Sequence, residues 1–330
     1  MMLQQRRDQL QGTLSGHGTS SGISGYSSSD FDTDLNALGY DRQSQKANPL
    51  ASPLYDAVPP AAPAIPHWGV WAQGLGNWER DAAMSPTDIT HFTSTYAAQG
   101  GVDGTWQGLM SSDDALVVGI VSSWTSSHVS FDNSPATMQL VGPGVGVYSE
   151  YVRGGFSADL TTIVNLLQLN QDLAGLAPNV SVGITTAGLS GNVQYKITGA
   201  GNNFLEPTVG FSFTRTIFGS GATPDMENSS TLRLQAGARV GTTWQVNGIS
   251  IDSSLKALVY GDAIAGGTSI EASAFGEAIA RTDEGLIRGE LDPELCFNLA
   301  DGYSVTLSGS AFYGQAVVGG SAGVNLRKQW

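Results

Sequence analysis

Apolar and polar residues alternate along most of the chain after residue 67. In Leu232–Val240, for example, the even positions hold Leu, Leu, Ala, Ala and Val, whereas the odd positions hold Arg, Gln, Gly and Arg. Successive side chains of a β-strand point to opposite faces of the sheet, so a period of two predicts a strand with one apolar face. The segments 205–213, 303–313 and 317–330 repeat the pattern. The sequence therefore predicts an extensive sheet with two different faces.

Twelve strands are predicted in this part of the chain. They lie near residues 67–78, 92–107, 115–129, 137–152, 156–169, 185–198, 204–217, 230–246, 249–261, 284–299, 303–315 and 317–330. The connections after the second, fourth, sixth, eighth and tenth strands are tight. Several contain Gly-Gly, Asn-Gly or Asp-Gly, which favour hairpin turns because these turns need positive φ. The connections after the first, fifth, seventh and ninth strands are longer and more polar, so short turns and long loops are predicted at opposite ends of the strands.

The fold class follows from these strands and from the composition. Charged residues make up 13% of the chain, against about 25% in average globular proteins, so something other than water faces much of the surface. The longest apolar run, residues 115–121, is far shorter than the roughly 20 residues that a spanning helix needs. The last predicted strand ends at Trp330, and closing the sheet removes the edge that would otherwise be exposed. We predict an all-β protein, a monomeric twelve-stranded antiparallel transmembrane β-barrel in contact with outer-membrane lipid, with its short turns in the periplasm.

The two faces of the predicted strands have different expected surroundings. The inward face carries ionisable residues of both signs, which suits a wet lumen that holds a polar helix or passes an extended chain. These predicted lumen-facing residues are Asp103, Glu206, Arg233, Arg239, Lys256, Arg288 and Glu290. These residues either solvate the lumen and pair with one another, or bind the N-terminal linker that precedes the barrel in the chain. On the outward face, aromatic residues near strand ends are expected at the level of the lipid headgroups; they are Trp68, Trp106, Tyr303 and Tyr313.

The sequence predicts no catalytic residue, no cofactor and no metal site. The formal net charge of −14 argues against nucleic acid as a partner, because a phosphate backbone would be repelled. Cys296 is the only cysteine, which excludes an intramolecular disulfide and a multi-cysteine metal site, and the four histidines lack the paired spacing of metal ligands. A G-x-S-x-G match at residues 18–22 lies among Gly and Ser residues, without the strand and helix that a nucleophile elbow requires.

The residues before the barrel divide into two predicted segments. Residues 1–30 are a disordered remnant, because positions 12–29 are nearly all Gly, Ser and Thr. Residues 31–66 are a linker, in which Phe31–Lys46 suits a short helix because it begins with acidic and ends with basic residues. Six prolines between residues 49 and 66 predict an extended lead-in. No export signal is visible, so we expect the chain to be a fragment, a mis-started gene product or the processed end of a longer product.

Four segments of the barrel, residues 67–330, resemble the C-terminal translocator domain of type V autotransporters. They are Trp68–Gly76, Leu205–Phe211, Leu234–Gly241 and the alternating end at Trp330. The resemblance implies an outer-membrane barrel that translocates or anchors an N-terminal passenger at the cell surface, with the helix at Phe31–Lys46 left in the pore. It also implies an assembly signal read by the barrel-assembly machinery. That signal would consist of Val324, Leu326 and Trp330.

Two alternative functions remain open at this point. A porin-like or orphan structural outer-membrane barrel would have the same strand pattern. An outer-membrane hydrolase barrel would need an acid, a histidine and a nucleophile at the outer rim, where only His91 and His128 are expected.

Overall fold

The computed structural model describes residues 66–82, 90–111, 113–172, 180–199, 201–219, 227–266, 269–272, 278–281 and 287–330. The predicted segment 1–30 and the predicted linker 31–66, apart from Pro66, lie outside these residues. The candidate helix Phe31–Lys46 therefore stays a prediction. Across the described ranges, no helix is long and apolar enough to cross a bilayer.

Almost all of the described chain is β-strand. The strands are β1 (His67–Asp81), β2 (His91–Gln107), β3 (Asp114–Phe131), β4 (Thr137–Arg153), β5 (Phe156–Asp172), β6 (Val180–Tyr195), β7 (Ile197–Thr198), β8 (Asn203–Phe218), β9 (Ser229–Val246), β10 (Ile249–Gly266), β11 (Ser269–Ala272), β12 (Ala278–Arg281), β13 (Arg288–Asn298), β14 (Tyr303–Tyr313) and β15 (Val317–Gln329). One 3₁₀ turn, Ala300–Gly302, joins β13 to β14.

The strands close into one antiparallel barrel. Successive strands pair from β1 to β6, from β8 to β10 and from β13 to β15; β6 and β7 pair with β8, β10 pairs with β13, and β15 pairs with β1, whereas β11 and β12 pair only with each other. Because the two-residue β7 continues β6 along β8, the described barrel has the twelve strands that the sequence predicts. At the seam between β15 and β1, the backbones of Trp68 and Trp330 exchange hydrogen bonds of 3.1 and 3.0 Å. Both ends of the barrel therefore lie at the same rim.

Alternate side chains lie inside and outside this ring, as the period of two predicts. In β9, Leu232, Leu234 and Val240 are exposed on the outer surface, and Leu234 has 60% of its surface accessible. Arg239 points inward on the same strand and is almost fully buried. The outward face of every barrel strand carries exposed apolar residues of this kind, such as Val145 on β4. This face supplies the apolar band that lipid tails would contact.

The connections are sorted between the two rims. The rim that holds both ends of the barrel has short connections after β2, β4, β7, β9 and β13, and we call it the tight-turn rim. Asn247 and Gly248 there have φ values of 51° and 81°, the left-handed pair that a two-residue hairpin turn requires. At the opposite long-loop rim, the connections after β1, β5, β8 and β10 are longer, in agreement with the predicted sorting.

Three features were not predicted from the sequence. The connection between β10 and β13 contains a separate antiparallel hairpin, β11–β12, and β13 begins at Arg288 rather than near residue 284. Pro293 interrupts the pairing of β13 with β14: the ladder stops at Leu291 opposite Ala311 and resumes at Glu294 opposite Ser308. Proline has no backbone N–H to donate, which accounts for the interruption.

Candidate functional site: the barrel lumen

A row of four charged side chains crosses β8, β9, β10 and β13 at one level of the lumen. In the strand register, Glu206 lies opposite Arg239, Arg239 opposite Lys256, and Lys256 opposite Asp292. The Glu206–Arg239 ion pair measures 3.0 Å and the Lys256–Asp292 pair 2.8 Å. Each of the two adjacent cations thus has a carboxylate on its other side, which offsets their mutual repulsion.

A second charged group is centred on Asp262 and lies nearer the long-loop rim. Arg233, directly opposite on β9, donates hydrogen bonds of 2.8 and 3.1 Å to both oxygens of this carboxylate. Arg288 donates another of 2.7 Å from β13. The ring of Tyr260 lies 4.3 Å from the guanidinium carbon of Arg233 and 5.3 Å from that of Arg288. One carboxylate and one aromatic ring therefore hold two arginines from separate strands.

The row and the Asp262 group contain, or lie beside, six of the seven residues that the sequence analysis places in the lumen. Glu290 is on the inward face of β13, two residues from Asp292. The seventh, Asp103, lies across the lumen on β2 and is buried.

Asp103 belongs to a hydrogen-bonded network that extends from β4 to the last strand. The indole N–H of Trp71 donates to the Tyr148 hydroxyl over 2.9 Å, and that hydroxyl donates to Asp103 over 2.8 Å. Arg327, on the last strand, donates to the other oxygen of Asp103. The Trp71 and Tyr148 rings meet edge to face with centroids 6.3 Å apart. The network thus ties β1, β2 and β4 to β15.

Two glycines make this network sterically possible. In the strand register, Gly119 lies between Tyr148 and Asp103, and Gly69 lies between Asp103 and the last strand. A Cβ atom at Gly119 would lie 2.3 Å from the Tyr148 ring, and one at Gly69 would lie 2.3 Å from the Arg327 guanidinium. Because neither position has a side chain, Tyr148 and Arg327 can each reach across an intervening strand to Asp103.

Apolar side chains also face inward on the half of the barrel formed by β1–β6. One cluster packs around Trp71 and Tyr148 and includes Ala115, Val117, Val121 and Val152. A second cluster lies toward the long-loop ends of β4, β5 and β6. Its members are Leu140, Leu167, Leu169, Val182 and Ile184, with Met138 and Phe218 against it. At these two clusters the inner wall is packed like the core of a soluble protein, which the predicted wet lumen with its ionisable residues did not anticipate.

The other predicted site residues lie on the outer surface. Val324, Leu326 and Trp330 point outward along β15, with Trp330 at the tight-turn rim. The aromatic residues Trp68, Trp106 and Tyr303 are near the tight-turn rim, and Tyr313 ends β14 at the long-loop rim. Lys328, which interrupts the apolar face, lies 4.1 Å from the centre of the Tyr303 ring and donates to the Asp301 carbonyl, which places its charge at the rim.

An acid and a histidine meet at the long-loop end of the lumen. His91 Nε2 lies 3.0 Å from an Asp81 oxygen, and both side chains are largely buried. These are two of the three groups that the hydrolase alternative needs. Within the part of the chain that the structure describes, no group of three or more His, Cys, Asp or Glu residues could hold a metal ion.

Several lumen residues were missed by the sequence analysis. Asp262 lies beyond the predicted end of its strand at residue 261, although its even number matches the inward positions of β10. Tyr148 was missed because aromatic residues were expected on the outer surface. A signal for Tyr148 does exist in the sequence, since Gly119 falls on the inward set of β3, but only the strand register shows that the two are neighbours.

A family model describes most of the barrel. The model of the autotransporter beta-domain matches residues 70–310. No curated protein matches the sequence at a significant level.

Solved autotransporter barrels have the same fold. The β-domain of the Bordetella autotransporter BrkA is 16% identical with a TM-score of 0.64, and the match covers 80% of this chain and 100% of that one. The transport unit of AIDA-I from Escherichia coli is 14% identical with a TM-score of 0.61, covering 92% and 98%. The translocator domain of NalP from Neisseria meningitidis is 11% identical with a TM-score of 0.57, covering 92% and 98%.

Proposed function

Because the chain belongs to the autotransporter beta-domain family, we propose that its barrel carries a passenger, attached N-terminal to His67, to the outer surface of the outer membrane. The observation that supports this proposal is the closed ring itself. Its outer face is apolar and its inner face carries buried ion pairs. Such a wall is stable in lipid while keeping polar groups on the path through its centre.

The position of the barrel ends fits this direction of transport. β1 starts and β15 ends at the tight-turn rim, where Trp68 pairs with Trp330. Short turns face the periplasm in outer-membrane barrels. A passenger that precedes residue 67 therefore approaches the barrel from the periplasm and leaves it at the long-loop rim.

The seven predicted lumen residues have a role in this proposal. Arg233, Arg239, Lys256 and Arg288 are held in ion pairs by carboxylates of the wall. Side chains fixed in this way keep the lumen polar without projecting freely into it. We propose that they form the wall along which the linker lies and through which the passenger passes, rather than a site selective for one ligand.

Assembly depends in this proposal on the outer surface of β15. Val324, Leu326 and Trp330 form an exposed apolar row beside the seam, which supports a role as the signal that the barrel-assembly machinery reads. Replacing Trp330 with Ala is expected to lower the amount of folded barrel in the outer membrane. Replacing Asn325, which faces inward on the same strand, is the matched control.

The role of the protein is transport rather than catalysis in this proposal. The His91–Asp81 pair supplies part of what a hydrolase site would need, and an H91A variant tests whether it is used. Unchanged surface display by H91A would agree with a structural role. Hydrolysis of lipid or peptide substrates by the wild-type barrel, lost in H91A, would establish the alternative.

Surface display is the direct test of the proposed function. A reporter domain preceded by an export signal is fused to the N-terminus, and its accessibility to antibody is measured on intact cells. Display is expected only when the barrel is folded, as judged by its heat-dependent shift in gel mobility. A folded barrel that leaves the reporter in the periplasm would contradict the proposal and favour a porin-like barrel.

Conductance separates the same two possibilities in a purified system. Deleting residues 1–60 should raise the conductance of the barrel in planar bilayers if these residues occupy the pore. Equal conductance with and without them would favour the porin-like alternative.

A further inference from the structure

A groove crosses the outer surface of the barrel from β8 to β14, and we call it the outer groove. Its volume of about 870 Å³ falls within the range of about 300–1,000 Å³ that is typical of small-molecule sites. Its floor is the backbone of one cross-strand row whose side chains point inward. The floor residues are Gly241, Ser254, Glu294 and Ser308.

Two rows of outward side chains form the walls of the outer groove. The wall nearer the bilayer centre carries no polar side chain; it consists of Val240, Leu255, Pro293 and Gly309. The wall nearer the tight-turn rim changes along its length, from Asn203, Thr242 and Ser253 on β8–β10 to Leu295 and Leu307 on β13 and β14. The three leucines are 41% to 44% exposed. The groove therefore opens toward the lipid and not toward the lumen.

The deep end of the outer groove owes its shape to a glycine beside a proline. Gly309 has no side chain to cover the floor, and it lies where Pro293 interrupts the pairing of β13 with β14. A Cβ atom at Gly309 would lie 3.4 Å from the Ser321 carbonyl oxygen and 3.7 Å from Pro293. These are ordinary contact distances, so the space above Gly309 is large enough for a side chain or for part of a ligand.

The outer groove runs obliquely from the rim into the bilayer. It starts at Asn203, the first residue of β8, and ends at Gly309, six residues after the start of β14. Six residues extend about 20 Å along a strand, and a strand tilt of about 40° converts this length into a depth of about 15 Å. Half of the hydrocarbon core is also about 15 Å thick. The groove therefore spans one leaflet, from the interface to the bilayer centre.

The polar groups of the outer groove lie where an amphiphile would need them. Trp244 is exposed near the rim, and its indole N–H donates to the Ser253 hydroxyl over 2.9 Å. Tryptophan rings in such positions lie at the level of the lipid headgroups. Thr242 and Ser253 are thus close to the interface, whereas Leu307 and Pro293 lie deeper. None of the described lining residues is Lys or Arg, so the groove suits ester and acyl groups rather than one headgroup charge.

We propose that the outer groove binds one phospholipid from the leaflet at the tight-turn rim. One acyl chain lies along the groove toward Gly309, and the glycerol ester groups lie beside Thr242 and Ser253. Because short turns face the periplasm, this is the periplasmic leaflet. A chain seated between the two walls makes contacts that the lining atoms would otherwise lack. A neighbouring barrel would present a convex face, which would bridge the groove without filling it.

Lipid retention measured by native mass spectrometry tests this site. The full chain is folded in detergent, phosphatidylethanolamine is titrated, and the number of bound lipids is read from the mass. One lipid should stay bound to the wild type at concentrations at which other lipids are lost. G309L fills the deep end of the groove and is expected to weaken this binding about tenfold, the equivalent of about two displaced CH₂ groups.

A second glycine on the lipid face supplies the matched control. Gly74 on β1 also faces outward, and a Cβ atom there would meet no atom within 4 Å, so G74L adds the same side chain outside the groove. Its lipid binding should equal that of the wild type. T242V keeps the shape of the rim end but removes a hydroxyl, and it should weaken binding about threefold.

Gel mobility before and after heating shows whether each variant is folded. Equal retention by the wild type and folded G309L, or equal loss in G309L and G74L, would overturn the proposal. A dimer mass in place of the lipid adduct would overturn it as well, because a second barrel would then occupy this face. Unchanged binding by T242V would contradict the placement of the ester groups. None of these measurements involves a passenger, so their outcome is independent of the proposed transport function.

Discussion

The two halves of the barrel wall differ in how their inward side chains are stabilised. On β1–β6, the inward face carries two apolar clusters and the hydrogen-bonded rings of Trp71 and Tyr148. On β8–β13, it carries ion pairs that join neighbouring strands, such as Glu206–Arg239. The β1–β6 half, which we call the packed half, combines these apolar clusters with buried hydrogen-bonded groups such as Asp103, whereas paired charges dominate the β8–β13 half, which we call the charged half. The two halves of a closed ring can thus differ in their inner faces while the lipid face stays uniform.

The largest effect is expected on the charged half. R239A removes a guanidinium from a Glu206 carboxylate that is 1% exposed, and breaking a buried pair costs about 3–5 kcal/mol. The midpoint of urea unfolding in detergent should fall accordingly. The double variant E206L/R239M replaces both charges with apolar groups and is expected to lie close to wild type. If the double variant is as unstable as R239A, apolar packing cannot replace the ion pair on this half of the barrel. The two halves would then differ in the kind of interaction that their stability requires.

A somewhat smaller effect tests whether the two halves share one lipid face. L234R places a charge on the outer surface of β9, where the cost is about 2–4 kcal/mol near the bilayer centre. Gln235, its neighbour, faces the lumen and donates to Asn192 over 2.7 Å, so Q235R is the matched control. Folding yield, read from the heat-dependent shift in gel mobility, should fall for L234R only. Similar yields would contradict the assignment of inward and outward positions.

On the packed half, Y148F removes a hydroxyl that accepts from Trp71 and donates to Asp103. Without this hydroxyl, the buried Trp71 and Asp103 each lose a hydrogen-bond partner, which is expected to lower the free energy of unfolding by about 1–3 kcal/mol. Urea unfolding followed by tryptophan fluorescence measures the change. Y151F is the comparison, because Tyr151 lies on the same strand and makes a longer bond of 3.3 Å to Asp114. A loss in Y151F equal to that in Y148F would mean that the inner network adds nothing specific.

The smallest effect is expected at the tight-turn rim, outside both halves. The Ser111 hydroxyl donates to Asp113 and lowers the pKa of this carboxyl, and Arg153 lowers it further. Because the pKa of Asp113 is lower in the folded than in the unfolded protein, its ionised carboxylate stabilises the folded protein at pH values above the ordinary aspartate pKa. This stabilisation is lost as the pH falls through the pKa of the folded protein. D113N should therefore unfold slightly earlier than wild type at pH 7 and at the same midpoint under strongly acidic conditions. An equal difference at both pH values would show that charge is not the cause.

The fold could be predicted largely from the sequence because lipid and lumen impose opposite requirements on alternate residues. Leu234 and Arg233 are neighbours in the chain with different surroundings. Their even and odd positions in the alternating pattern were enough to assign Leu234 to the outward face and Arg233 to the inward face. The turn at Asn247-Gly248 was recognisable because an Asn-Gly pair favours the positive φ that a two-residue hairpin turn needs, and both residues adopt it. Motifs around Trp68, Pro207 and Trp330 first suggested the autotransporter family. The family model confirms this membership, and with it the outer-membrane location and the general role in protein transport.

Other parts of the lumen were beyond sequence reasoning. In the run Ala115–Val121, both faces of the strand are apolar, so alternation could not show that Val117 packs inside. The Asp262–Arg288 pair joins residues whose proximity depends on strand register. The hairpin β11–β12 has strands too short to produce a clear period. Each case requires information on which distant residues face each other, which local pattern does not contain.

The Asp103–Arg327 pair has a consequence for the timing of barrel biogenesis. Its members are 224 positions apart in the chain, one on the second strand and one on the last. The contact cannot form until the C-terminal strand has been delivered to the N-terminal one. A species trapped with an open seam should therefore lack the contact, and the emission of Trp71, which shares the network, would change at the moment the cylinder is sealed.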